Sequence, residues 1–236
     1  MSKLELIGVS THYGTSHILF DVSLEVNAGE VVCLLGRNGA GKTTTIKTVM
    51  GLAKASAGTV LWNGVTLNGL EPYQIARLGV GYVPDDRRIF PDLTVRENLE
   101  IAIKRGTHPD AEEWTVERIY ELFPALAPLD SNVGGYLSGG EQQMLTVGRT
   151  LMGNPSVMLL DEPVEGVAPI VVDELGRQLT RLKQMGLTIL FSEQNLSFAT
   201  SISDRAYIIE TGRIRYHGTI AELEQNSEVL EKYLMI

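Results

Sequence analysis

One stretch, Gly36-Arg37-Asn38-Gly39-Ala40-Gly41-Lys42-Thr43, restricts this chain more than any other feature. It fills the pattern G-x-x-x-x-G-K-[ST] and stands between an apolar run at residues 30–35 and a helical stretch at 42–50. A strand that turns through glycines into a helix aims successive backbone N–H groups and the positive helix end at one point. That point is a seat for phosphate. In such a seat Lys42 reaches the β- and γ-phosphates of a nucleoside triphosphate, and the Thr43 hydroxyl ligates Mg²⁺. Gly36, Arg37, Asn38, Gly39, Ala40, Gly41 and Thr44 complete the candidate set around it.

A second apolar run, Val157-Met158-Leu159-Leu160, ends in Asp161-Glu162. Apolar residues closing on acids describe a buried strand that delivers carboxylates at its C-terminal edge, where open α/β sheets bind ligands. Acids at strand ends also serve as helix caps. Beside a phosphate seat, however, Asp161 reads as an Mg²⁺ ligand, directly or through water, and Glu162 as the group that orients or deprotonates an attacking water.

Strand patterns at residues 4–9 and 22–26 are broken by turns, and in the last third strands at 157–160 and 188–191 alternate with helices at 169–184 and 196–202. This alternation predicts an α/β fold with a mostly parallel sheet. Asn63-Gly64 between residues 59–62 and 65–67, and Thr211-Gly212 between 206–210 and 213–216, mark two hairpins. Gly51 is placed to cap the helix before it. From 95 to 151 the pattern turns helical, with segments at 95–103 and 111–122, a break at Pro124 and Pro128, a loop at 130–137 and a helix opening near Gly139. A C-terminal helix is expected after the second hairpin.

The 236 residues are 44% apolar and 21% charged, enough to bury a sizeable core and too apolar for a disordered chain. A net charge of −9 argues against a general nucleic-acid binder. The single cysteine, Cys33, excludes an internal disulfide, suits a reducing compartment, and reads as a buried, inert thiol. No apolar run approaches the ~20 residues a bilayer demands. Glu5 stands where a signal peptide needs its apolar core. A soluble protein follows, with any membrane role acting through a partner.

Leu137-Ser138-Gly139-Gly140-Glu141 resembles the signature motif of the ATP-binding cassette (ABC) transporter ATPases, with Glu141 where the commonest version has Gln. Physically, Ser138 and the paired glycines at a helix start form another N–H seat for an anion. The resemblance extends over almost the whole chain. It implies a P-loop NTPase core with a mostly parallel sheet, an N-terminal antiparallel β subdomain and an inserted α-helical subdomain. Residues 1–236 are then one ABC ATPase domain, about 1–92 and 155–236 forming the core with its β subdomain and about 93–154 the helical part. Two copies, or this chain and a related ATPase, are expected to pack head to tail, the signature of one covering ATP in the other.

The same resemblance sets Tyr13 against adenine, Asp85 where the family has Gln in the loop linking nucleotide to membrane partner, and Gln194 at the switch position that is normally His. A neutral Gln donates an amide hydrogen bond to the γ-phosphate but does not titrate as imidazole does. Glu162 is therefore the principal catalytic group, Lys42 the phosphate cation and Gln194 a sensing and positioning residue. Asp85 is a further candidate Mg²⁺ ligand. Phe90 and Leu93 are candidates to dock a membrane subunit, and Arg87-Arg88 are expected to pair with acids near the subunit interface.

The run Gly81 to Pro91, the Glu-containing signature, Glu165-Gly166-Val167-Ala168-Pro169 and Glu193-Gln194-Asn195 resemble ATPases of importers for branched-chain amino acids, with those for urea and short amides close by. Two membrane permeases, and indirectly a periplasmic binding protein, are then the expected partners, with no nucleic acid. The expected location is cytoplasmic, on the inner face of the cell membrane. Two other readings are a soluble ABC-type ATPase of DNA repair or translation, which usually carries two cassettes or a coiled-coil insert absent here, and a regulatory nucleotide-binding module.

Overall fold

The computed structural model describes residues 3–104 and 113–234. Its centre is a six-stranded sheet of β3 (Val31–Leu35), β6 (Val80–Val83), β7 (Val157–Asp161), β8 (Thr188–Glu193), β9 (Arg205–Glu210) and β10 (Arg213–Thr219) in the order β10-β9-β3-β8-β7-β6. Every pair is parallel except β9 with β10. All residues of β3, β7 and β8 are buried. Helices and a second sheet cover both faces, which is why these strands read as continuous apolar runs rather than alternating ones.

The second sheet is antiparallel, with β1 (Lys3–Tyr13), β2 (Ser16–Asn27), β4 (Ala55–Trp62) and β5 (Val65–Thr66) in the order β2-β1-β4-β5. The β1–β2 hairpin is far longer than the alternation at 4–9 and 22–26 predicts. Register shifts after Leu6 and Val9, with positive φ at Gly8 (61°) and Asp21 (57°), break the period of two that a sequence reading relies on. Both predicted tight turns form: Asn63 and Gly64 have φ of 52° and 77°, Thr211 and Gly212 46° and 72°.

Helix α1 (Lys42–Val49) starts directly after the glycine turn and ends at Gly51, whose φ is 72°. A short helix not foreseen in the sequence, α2 (Pro72–Arg77), is held by a capping box between Glu71 and Gln74 and is too short to show a period. Helix α3 (Val95–Glu100) stops before the expected residue 103, because the chain turns away to bond the end of α5 (Gly139–Met152) through Lys104 N–H and the Met152 carbonyl. Helix α4 (Val116–Leu122) begins at its Thr115 cap. Of the expected segment 111–122, residues 111 and 112 lie outside the described residues. A 3₁₀ stretch, Pro124–Leu129, follows at the two prolines.

Helices α6 (Pro169–Gln184) and α7 (Leu196–Ile202) occupy the predicted segments. The C-terminal helix is two, α8 (Ile220–Glu224) and α9 (Ser227–Leu234), because the Asn226 side chain accepts the Val229 N–H and starts a new helix. Alternate residues of β3 feed two cores. Val31, Cys33 and Leu35 join the core that includes side chains of α3–α7, while Val32 and Leu34 join the one that includes α1 and the antiparallel sheet. Each such buried side chain contributes about 1.5–3 kcal/mol. No described helix is long and apolar enough to cross a membrane.

Candidate functional site

Strand order builds the site. β8 lies between β3 and β7, with Leu35 opposite Glu193 and Asp161 opposite Ser192. Three neighbouring strands thus release their chains at one edge: the glycine turn from β3, Asp161-Glu162 from β7 and Glu193-Gln194 from β8. Gly36 donates its N–H to the Glu193 carbonyl at 3.2 Å. A Cβ at Gly36 would lie 2.5 Å from the Ile209 carbonyl oxygen, so no side chain fits there.

The turn then runs through exposed Arg37, Asn38 and Gly39 to buried Ala40 and Gly41, with φ of 79° at Gly39 and 112° at Gly41. Lys42 is folded into this turn. Its Nζ donates to the carbonyls of Gly36 at 2.8 Å and Arg37 at 3.2 Å and stands 2.9 Å from Glu162 Oε1. Thr44 is buried in α1, where its carbonyl accepts the Thr48 hydroxyl.

The Thr43 hydroxyl donates to Asp161 Oδ1 at 2.9 Å, and the Ser192 hydroxyl to the same oxygen at 2.7 Å. The other oxygen, Oδ2, is buried and has no partner among the described residues. Burial pushes the Asp161 carboxyl up; the Ser192 and Thr43 hydroxyls pull it back, and the charges of Asp85 and Glu162 push it up again. A divalent cation answers this arrangement, giving Oδ2 a partner and favouring the ionised carboxylate. Among the described residues no group of three or more His, Cys, Asp or Glu gathers to hold a metal. An Mg²⁺ ion beside Thr43 and Asp161 would take its remaining ligands from phosphate and water.

Glu162 sits in the left-handed region at φ 46°, a conformation that costs a non-glycine residue about 1–3 kcal/mol. Its N–H is anchored on Ser192, 3.0 Å from the hydroxyl and 3.2 Å from the carbonyl. Burial pushes its carboxyl up, but hydrogen bonds from Glu165 and Lys42 outweigh that and hold it below the usual glutamate range. Glu165, sharing the hydrogen bond, is pushed up in turn.

Gln194 and Asp85 are both exposed at this edge. Tyr13, 48% exposed, closes β1 two residues beyond Thr11, whose hydroxyl meets that of Thr48 on α1 at 3.1 Å. Phe90 is 47% exposed on the loop after β6.

The Ser-Gly-Gly turn heads α5. Ser138 and Glu141 form a capping box, Ser138 N–H to Glu141 Oε2 at 2.7 Å and Glu141 N–H to Ser138 Oγ at 3.4 Å. Glu141 at this position is therefore a cap for its own helix. A Cβ at Gly139 would meet Arg87 Nη1 at 2.6 Å and one at Gly140 would meet Val171 at the same distance. Leu137 is buried beside this turn. Among the described residues Arg87 does not pair with an acid as expected. Its Nη2 donates to the Glu165 backbone carbonyl at 2.5 Å, and it is Arg88 that bonds Asp86. Ser192, Glu193 and Glu165 also belong to this edge, and no motif in the sequence marks them individually. The signal available was a polar pair closing an otherwise apolar strand.

The family model for the ABC transporter matches residues 19–165. The high-affinity branched-chain amino acid transport ATP-binding protein BraG of Pseudomonas aeruginosa is 42% identical over 228 residues, covering 96% of this chain and 97% of that one. The lipopolysaccharide export system ATP-binding protein LptB of Haemophilus influenzae is 36% identical, covering 99% and 98%. Among solved structures, the ADP conformation of MJ1267, an ATP-binding cassette of an ABC transporter, superposes with a TM-score of 0.83 at 29% identity, covering 98% of each chain.

Proposed function

The chain belongs to the ATP-hydrolysing subunits of ABC transporters, and within that family we infer that it energises the import of branched-chain amino acids or related small polar amides. The observation that carries the chemistry is the convergence of Lys42, Thr43, Asp161 and Glu162 at one sheet edge, each 2.9 Å from a partner in the set. Lys42 holds the β- and γ-phosphates among the N–H groups of the glycine turn, with Tyr13 against the base. Thr43 and Asp161 would hold Mg²⁺, Asp85 being a further candidate, and the ion when bound would neutralise charge on the phosphates. Glu162 aligns the attacking water and takes its proton, and the Gln194 amide reports on the γ-phosphate. The chemistry asked of these residues is electrostatic positioning of a loose phosphoryl-transfer transition state.

The second N–H seat, at Leu137, Ser138, Gly139, Gly140 and Glu141, has its own cap and still offers Gly139 and Gly140 N–H groups. It serves the nucleotide held by a second copy of this chain or a related ATPase. Residues about 93–154 act as the arm that carries it, and the loop of Asp85 and Phe90 faces the membrane permeases. The working place is then the cytoplasmic face of the membrane, with a periplasmic binding protein delivering cargo on the far side. Similarity to BraG supports the import reading; similarity to LptB supports an export cargo instead.

Uptake decides between them. ATP-dependent accumulation of labelled leucine, isoleucine and valine should fall in a strain lacking this chain, return with the parent gene and fail to return with Lys42→Ala. Normal uptake in the deletion strain would overturn the import reading while leaving the ATPase chemistry standing.

A further inference from the structure

Glu193 is a charged residue at the end of a wholly buried strand, only 3% exposed, and among the described residues no cation bonds it. Its carboxylate is held by backbone N–H groups. Oε1 accepts from Val164 at 3.4 Å, and Oε2 accepts from Gln194 at 3.0 Å and Asn195 at 3.1 Å. Its own carbonyl accepts the Gly36 N–H at 3.2 Å. Burying a carboxylate is costly, and three N–H donors offset the cost only while all three stay in place. Burial pushes this carboxyl up, and the same three bonds pull it back.

The donors come from two different loops. Val164 lies two residues after Glu162, in the turn closed by the Glu165 N–H on the Glu162 carbonyl at 3.1 Å. Gln194 and Asn195 open the segment between β8 and α7. A capping side chain would serve only one of them. Glu193 spans both, and through its carbonyl it also touches the first glycine of the phosphate turn. Because each oxygen of one rigid carboxylate is committed to a different loop, neither loop can shift alone without stranding a buried acceptor.

We propose that Glu193 is a positioning residue that yokes the Gln194 segment to the Glu162 turn, so that contact of Gln194 with a γ-phosphate is felt as a change in where the Glu162 carboxylate stands. The inference rests on the reading of Glu162 and Gln194 given above. It assigns Glu193 no contact with substrate.

A double-mutant cycle on phosphate release tests it. In the parent background Glu193→Ala should lower kcat by about 10–100-fold with the KM for ATP changed less than about threefold. In the Gln194→Ala background the same substitution should cost less than about threefold in kcat, because the coupling it removes is already idle. Glu193→Gln keeps the size and one oxygen acceptor and should restore part of the loss. Should Glu193→Ala fail to fold, Glu193→Gln with Gln194→Ala gives the same cycle.

A merely structural role would lower the melting temperature and the active fraction equally in both backgrounds. Equal fold-losses in the two backgrounds, or a Glu193→Ala enzyme within twofold of the parent, would overturn the proposal. A Gln194→Ala single variant with unchanged kcat would instead overturn the reading of Gln194, and the yoke with it.

Discussion

Replacing Glu162 by Gln separates binding from chemistry in a way that can be worked from the geometry. The Lys42–Glu162 pair spans 2.9 Å, with side chains 2% and 10% exposed. At that separation and an effective dielectric of ~20, the attraction is roughly 6 kcal/mol before desolvation is charged against it. Removing one partner of such a pair outright costs about 3–5 kcal/mol. Gln keeps an oxygen facing Lys42, and the carbonyls of Gly36 and Arg37 remain on Nζ. The expected cost is therefore about 1–2 kcal/mol, a fall in Tm of about 2–8 °C for a chain of this size.

The sign of the pH dependence follows from the lowered carboxyl of Glu162: its contribution is present above the ordinary value of 4.5 and is lost as pH falls through the lower folded value. The Tm gap between parent and variant should thus persist at neutral pH and close in acid. Nucleotide and Glu162 compete for Lys42, so the variant should bind ATP at least as tightly as the parent. Turnover should fall by ~10²–10⁴-fold, or roughly 3–5 kcal/mol of barrier. Calorimetry with ATP, thermal scans from neutral pH down into strong acid and phosphate release measure all three. Turnover within tenfold of the parent, or loss of ATP binding, would refute the assignment.

Three further outcomes are expected. Ser138→Ala removes the hydroxyl that accepts the Glu141 N–H, should cost about 1 kcal/mol in a thermal scan, and should slow hydrolysis while leaving the affinity for ATP unchanged. Gly36→Ala forces a Cβ against the Ile209 carbonyl at 2.5 Å, so titration calorimetry should find ATP affinity down at least tenfold and stability lower by about 1–3 kcal/mol. Cys33 is fully buried and burial pushes its thiol well up, so a maleimide should label the chain only as fast as it unfolds; rapid labelling of the native protein would contradict the placement of β3.

Sequence and structure agree most closely where local chemistry is enough. The glycine turn, the Asp161 strand end, α6 and the two positive-φ hairpin turns each follow from neighbours in the chain, and all are present as read. Where they part, the cause is non-local. Bulges at Gly8 and Asp21 hide two long strands from any test of alternation. Helix α3 ends early because Lys104 bonds Met152, far along the chain. Glu193 looks in sequence like a polar residue closing a strand; only the arrival of Val164 beside it makes it a bridge. Arg87, expected to seek a carboxylate, finds the Glu165 backbone carbonyl instead, a partner 78 residues further along the chain.

The strand order also dictates when this molecule can become competent as it leaves the ribosome. β3 is synthesised early, yet both of its hydrogen-bonded neighbours, β8 and β9, lie beyond residue 187. Until they emerge, a wholly apolar strand waits with two unpaired edges, the kind of segment that invites aggregation and chaperone capture. Closing the sheet through such distant pairings is intrinsically slow. A nascent chain stopped short of β8 would own every residue of the phosphate loop and still lack the scaffold that gives that loop its shape.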